Sequence, residues 1–255
     1  MVHNVQTSHI ASCFSVIDLA TVVYENLKTE DVAVWSKGWA AAVIYTMLKR
    51  QGILTEEEVN QFPNAPYYGL AETTVKGVHA SAGAMGHGLP IAVGMALAKK
   101  RAGEKGRVFC IMSDGEMQEG TTWESALVAQ HNKLDNLVVI VDYNKWVAMG
   151  KTNDVSNLEP FADKWRAFNF DTWEIDGHNF DEIYGATQGP SPELMPGFSK
   201  NKPRCIIAHT IKGKGVSFFE NPPQLPDMPF STGHTYHYKQ VGDDEYKRAM
   251  EELNG

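Results

Sequence analysis

Two oxygen ligands suggest the chemistry of this chain. Asp114 stands in Ser113-Asp114-Gly115-Glu116-Met117-Gln118-Glu119-Gly120, and Asn144 closes Asp142-Tyr143-Asn144 thirty residues further on. Each follows an apolar run, 108–112 and 137–141, that reads as a strand. A helix-length segment, roughly 118–133, joins the two. In a parallel sheet both ligands then reach the carboxyl edge, where open α/β sheets bind their ligands. One carboxylate plus one amide oxygen suits a hard cation that keeps its remaining positions for water and phosphate oxygens. The small Asp114-Gly115 turn lets backbone amides approach a diphosphate.

The rest of the chain must build that sheet. Residues 9–28 carry Ile10, Phe14, Ile17, Thr21 and Tyr24 at helical spacing, and 31–35 read as a short strand. A helix over 40–50 meets Gly52 as its stop, and Thr55-Glu56-Glu57-Glu58 is a capping box for the next. Residues 62–82, rich in Pro, Gly and Thr, read as a surface loop near the site. A Gly/Ala-rich helix follows over 88–100. Beyond the two ligands come an irregular stretch at 147–160, a helix near 161–168, a strand near 170–175 and a helix at 181–187. A loop with four prolines at 189–203, a strand at 204–209 and a terminal helix at 243–253 complete the chain. Strands alternate with helices, so the expected fold class is α/β: one domain over 1–255, with a doubly wound, mostly parallel sheet flanked by helices.

The aspartate-glycine turn followed after about thirty residues by an asparagine resembles the thiamine-diphosphate motif. The wider pattern resembles the amino-terminal subunit of split transketolases, nearly end to end. His9-Ile10-Ala11-Ser12 is similar to the family's early histidine turn, and Trp35-Ser36-Lys37-Gly38 to its Ser-Lys-Gly-His strand end. Gly83-Ala84-Met85-Gly86-His87-Gly88 is similar to its glycine-rich turn. Thr210-Ile211-Lys212-Gly213-Lys214-Gly215 and Gly233-His234 are similar to its last segment. The resemblance implies a thiamine-diphosphate-binding fold. It also implies that the cofactor is held with Mg2+, or another divalent ion such as Ca2+ or Mn2+. Metal ligands would be Asp114, Asn144 and the backbone carbonyl of Trp146. Gly83, Met85, Gly86, Gly115, Glu116 and Lys212 would complete the cofactor site.

Each assignment competes with a plainer one. Glu119 could be a solvated helix-start acid favoured by the dipole; in the resemblance the acid of the Glu-Gly pair lies beside the cofactor and helps link active sites. His9 could be a helix-start polar group; the resemblance gives it contact with substrate. His234 and His237 match a family histidine pair, and His234 is the expected proton donor to a substrate oxygen. His131 and His178 read as structural or exposed, and His209 as a buried core histidine. Ser113 replaces a family glycine and is small enough to keep binding intact. Two departures touch the substrate side: Trp39 and Gly69 stand where the family has histidines. Tryptophan offers one donor and no acceptor, and glycine no side chain. Either other residues take over, His79 and His87 among them, or the substrate differs.

Bulk properties narrow the remaining choices. A net charge of −8 argues against a nucleic-acid or anionic-membrane surface. Cys13, Cys110 and Cys205 sit singly in apolar contexts, as reduced core residues of a cytoplasmic protein do. The start reads as no signal peptide, and no apolar run approaches the roughly 20 residues needed to span a bilayer. The domain that supplies the carboxylate for the aminopyrimidine ring lies after position 255 in full-length transketolases. The resemblance therefore implies a second subunit with the pyrimidine-binding domain, in a two-plus-two heterotetramer acting on a small sugar or sugar phosphate. The expected activity is transfer of a two-carbon ketol unit from a ketose to an aldose. The alternatives are the alpha subunit of a 2-oxo acid dehydrogenase and a catalytically silent cofactor-binding subunit. Against the former, residues 116–124 look transketolase-like and no phosphorylatable serine loop is found.

Overall fold

A computed structural model describes residues 1–64, 66–67, 69–188, 201–222 and 233–255. The expected proline loop at 189–203 falls mostly outside them. Five strands form one sheet: β1 Val32–Trp35, β2 Val108–Ser113, β3 Leu137–Tyr143, β4 Asp171–Asp176 and β5 Arg204–His209. Their order is β1-β2-β3-β5-β4, and every pairing is parallel. The helices are α1 Ile10–Glu25, α2 Ala41–Arg50, α3 Glu56–Val59, α4 Gly88–Ala102, α5 Gly120–His131 and α6 Thr152–Val155. They continue with α7 Phe161–Ala167, α8 Phe180–Gln188, α9 Ser217–Glu220, α10 Thr235–Tyr238 and α11 Asp243–Asn254.

Strand residues alternate between two cores. Ala33, Trp35, Phe109, Ile111, Val138 and Ile140 pack with α1, α2 and α8. Val34, Val108, Cys110, Met112, Val139 and Val141 pack with α4, α5 and α7. Both faces are covered, which is why β2 and β3 are apolar runs without polar alternation. Full burial of each such side chain contributes about 1.5–3 kcal/mol. The three cysteines are buried and unpaired.

Most of the expected elements are present, including the Thr55–Glu58 capping box and the irregular chain after β3. Three local expectations need correction. The 62–82 segment is more than a surface loop: Phe62, Tyr67, Val75 and Ala82 are buried in the α1/α2 core. The helix after Asp114 does not start at Gln118. Residues Asp114–Gln118 form a 3-10 turn, Glu119 is extended, and α5 begins at Gly120. His209 is not a core histidine: it is half-exposed and its Nε2 lies 3.3 Å from Glu174.

Candidate active site at the carboxyl edge

β1, β2 and β3 end beside one another, and a cavity of about 520 Å3 opens there. Its wall includes Ser12, Lys37, Gly83, Met85, Gly115, Asn144, Trp146 and Lys212. His9, Trp39, His237 and Tyr238 close one side.

Asp114 follows the end of β2 and is fully buried. Its carboxylate accepts hydrogen bonds from Gly115 N–H (3.0 Å), Lys145 N–H (2.9 Å) and the Thr152 hydroxyl (2.7 Å). The Lys145 bond ties it to the turn carrying Asn144 and Trp146, so the two ligand-bearing strand ends touch. Asn144 Oδ1 accepts from Trp146 N–H at 3.1 Å. Among the described residues no basic side chain bonds to Asp114, and burial pushes its carboxyl up to about 7, against the Thr152 hydrogen bond.

Beside it, Asp142 is also buried yet held below the usual carboxylate range. Burial acts to raise it, but the charge of Lys37 and the donors around it outweigh that. Lys37 forms a buried ion pair with Asp142 and also donates to Ser12 O (2.9 Å) and Ser15 Oγ (3.1 Å). Ser15 (2.6 Å) and Thr210 donate to the same carboxylate.

A third carboxylate organises the glycine-rich turn. Glu116 accepts from the Ser36 hydroxyl, Gly86 N–H (3.1 Å) and Ser113 N–H (2.9 Å). The ends of β1 and β2 and the 83–88 turn are thereby joined through one side chain. Gly38 and Gly88 are required by close approach: a Cβ would lie 2.1 Å from Ala82 O and 2.3 Å from Ser36 Cβ, respectively. At Gly115 a Cβ would meet Val147 at 2.7 Å.

The histidines separate into two groups. The His9 ring stacks on Trp39 (4.8 Å, 14°) and lies 4.6 Å from the His237 ring. His9 has a left-handed backbone, φ 69°, and its N–H donates to His237 O at 2.9 Å. His234 lies edge-on to Trp146, and neither of its ring nitrogens has a partner among the described residues. Burial, helped by Lys212, lowers His234 to about 3 and His9 to about 4, and takes His237 far below its ordinary value. Burial thus favours the neutral imidazole at all three. His79 and His87 do not replace the missing histidines. His87 is exposed, with Nδ1 on Met85 O at 3.0 Å. His79 borders a separate hollow with Tyr24, Asp31 and Arg50, near the start of β1. Glu119 is half-buried, with its side-chain carbons against Gly86, and it does not line the cavity. Lys37, Asp142 and the nearer histidine, His237, stand in motifs visible in the sequence but without a site role read from them, and Thr152 has no sequence signal. The histidine pair was the only available signal for His237.

Lys212 is buried, and its one side-chain hydrogen bond among the described residues is to His237 Nδ1 at 2.8 Å. Two of its three ammonium donors are therefore unfilled. Burial, then the charge of Lys37, lowers it to about 7. The site thus holds a buried carboxylate without an ion-pair partner among the described residues and an under-filled buried lysine. A divalent cation with a diphosphate would neutralise and fill such a set. Among the described residues no three His, Cys, Asp or Glu cluster as a self-contained metal site. A cation held by Asp114 and Asn144 would need further oxygens from a bound group.

Residues 1–240 match the family described as "Transketolase, thiamine diphosphate binding domain", and the chain belongs to that family. It is 34% identical over 227 residues to a subunit of the apulose-4-phosphate transketolase of Actinobacillus succinogenes, covering 88% of this chain and 75% of that one. It is also 34% identical over 226 residues to the 6-deoxy-6-sulfo-D-fructose transketolase subunit SqwG of a Clostridium species, covering 83% and 80%. The transketolase structure from Campylobacter jejuni superposes with a TM-score of 0.86 at 26% identity. That match covers 99% of this chain and 40% of the other.

Proposed function

We propose that this chain is the diphosphate-binding subunit of a two-chain, thiamine-diphosphate-dependent ketol transferase. The observation that carries this reading is the cavity itself. Asn144 lines it with two buried lysines and two neutral histidines, and Asp114, fully buried, is tied to the same turn through Lys145 N–H. Asp114, Asn144 and the Trp146 carbonyl would hold a magnesium ion, and Lys212 and the 83–88 turn would meet the diphosphate. When bound, the cofactor supplies the carbon nucleophile that takes up the two-carbon unit. The chain's own residues bind and orient: His9 and His237 offer ring nitrogens to substrate oxygens, and Trp39 excludes water from one side. His234, buried against Trp146, is one step further from the cavity than the sequence suggested.

Two relatives are named as one subunit of a transketolase, which supports a second chain here; in this reading that chain carries the pyrimidine-side carboxylate, in a two-plus-two assembly. The buried free cysteines fit a reducing compartment such as the cytoplasm. No helix among the described residues is long and apolar enough to cross a membrane. Two relatives are named for unusual ketoses, apulose 4-phosphate and 6-deoxy-6-sulfo-D-fructose. Trp39 agrees with such a substrate here, because its indole fills part of the cavity wall. It also separates the cavity from a second hollow of about 380 Å3 bordered by Gly69.

Asp114→Asn tests the reading. The isosteric amide keeps the cavity's shape but removes the ligand charge, so magnesium-dependent cofactor affinity should fall at least about tenfold. Stability without cofactor should change by no more than about 1–3 kcal/mol, the cost of one mispaired donor. Undiminished affinity by calorimetry, with the second chain present, defeats the proposal.

A further inference from the structure

Lys212 touches two things at once under the function proposed above, and this inference rests on that reading. Lys212 lines the cavity, and two of its ammonium donors are unfilled among the described residues. The third meets His237 Nδ1 at 2.8 Å. A charged lysine has donors only. His237 Nδ1 must then be the acceptor nitrogen, and the ring's single proton must sit on Nε2.

We propose that Lys212 is a positioning residue that couples the bound diphosphate to the tautomer of His237. The anion keeps the ammonium charged, the ammonium takes the Nδ1 lone pair, and Nε2–H is left as a hydrogen-bond donor.

The surroundings favour this arrangement. His237 stays neutral, because burial and the charge of Lys212 both oppose its protonation. A neutral ring has one N–H, so fixing one nitrogen fixes the other. No hydrogen bond reaches His237 Nε2 among the described residues, and the ring lines the cavity. The other charged groups near Lys212 are Lys37, Asp114 and Asp142, and none is hydrogen-bonded to it. His9 stands beside His237 with its own Nδ1 2.6 Å from the Ser8 hydroxyl. A serine can donate or accept, so it leaves that ring free to choose. The charged lysine does not. A fixed N–H aimed at a substrate oxygen stabilises negative charge that develops there without reorganising during reaction.

The test is spectroscopic. The chain is labelled with 15N-histidine and studied as its native complex with the second chain, magnesium and thiamine diphosphate. His237→Gln assigns the signal. Long-range proton–nitrogen correlation should show Nε2 protonated and Nδ1 unprotonated in the parent and in Lys212→Arg. Lys212→Met should lose that pattern, giving mixed tautomers or Nδ1–H, and should lower cofactor affinity about tenfold to hundredfold. Nδ1–H in the parent, or an unchanged Nε2–H pattern in Lys212→Met, overturns the inference. Calorimetry on the same samples separates the two levels. Failure of the parent to bind cofactor overturns the functional reading and this inference with it. Binding with the wrong tautomer overturns only the inference.

Discussion

Removing one member of the Lys37–Asp142 pair should unbalance the buried edge of the sheet. The lysine side chain is 7% exposed and the aspartate 0%. Lys37→Met keeps the length and apolar stem but strands the carboxylate. Ser15 and Thr210 still donate to Asp142, yet hydroxyls cannot replace a counter-charge. Breaking a buried pair from one side typically costs about 3–5 kcal/mol. The two remaining hydroxyl donors place the expected loss near the lower figure, about 3 kcal/mol. That is a large share of the roughly 5–15 kcal/mol that holds a domain folded. Lys37→Met/Asp142→Asn removes both charges and should be more stable than the single lysine variant. The two sites touch, so their effects should not add. Urea unfolding of the cofactor-free chain, followed by tryptophan fluorescence, reads all four corners of the cycle. A single-variant loss below about 1 kcal/mol, or strictly additive effects, would refute the reasoning.

Acid should weaken the cofactor-free protein through the histidines. His9 is held at about 4 and His234 at about 3, below the usual 6.5. Each of these histidines therefore binds fewer protons in the folded state than in the unfolded chain, so its contribution to stability falls as pH drops from about 6.5 toward 4, while Asp114, raised to about 7, acts in the opposite sense over that range. His9→Gln should flatten that slope in a series of denaturation curves, and an unchanged slope would contradict the assignment. Gly38→Ala should cost several kcal/mol or prevent folding, because the clash is with backbone Ala82 O. Gly94→Ala, on α4 with nothing within 4 Å, should instead gain about 0.5–1 kcal/mol, and thermal melts compare the two. Trp39→His should move the ketose preference toward common phosphorylated donors. Steady-state efficiencies across a donor panel with the complete complex measure it, and unaltered ratios would make Trp39 neutral.

The fold was readable wherever one element buries a continuous or periodic apolar face. β2 and β3 are buried on both sides and stood out as unbroken runs. The capping box at Thr55 is local chemistry and was visible for that reason. The segment after Phe62 was not, because its buried Tyr67 and Val75 follow no period and lie among turn residues. The start of α5 was misplaced because Glu116 bonds to Ser36, Gly86 and Ser113, only the last of which is nearby in sequence. The same limit governs the site. Lys37 and Asp142 are 105 positions apart, and only the β1-β2-β3 order brings them together. Within the His234/His237 pair, sequence spacing gives no preference. The choice depends on α10, which turns His237 to the cavity and leaves His234 against Trp146.

The buried polar groups at this edge fall into two sets. Lys37, Asp142 and Glu116 are satisfied by the protein itself and belong to the structure. Asp114 and Lys212 are left with charge or donors unmatched, and those are the groups a ligand must complete. This division makes a testable prediction. Lys37→Met should lower stability with and without cofactor by similar amounts, since its partner is part of the chain. Asp114→Asn and Lys212→Met should change the cofactor-free protein far less, and should diminish the stabilisation that magnesium and thiamine diphosphate add. A ligand at about one hundred times its dissociation constant adds about 2.7 kcal/mol, so the lost increment is readable in a thermal melt of the complex. If Lys37→Met alone abolished the increment, or if both other variants retained it in full, the unmatched groups would not be the ligand site.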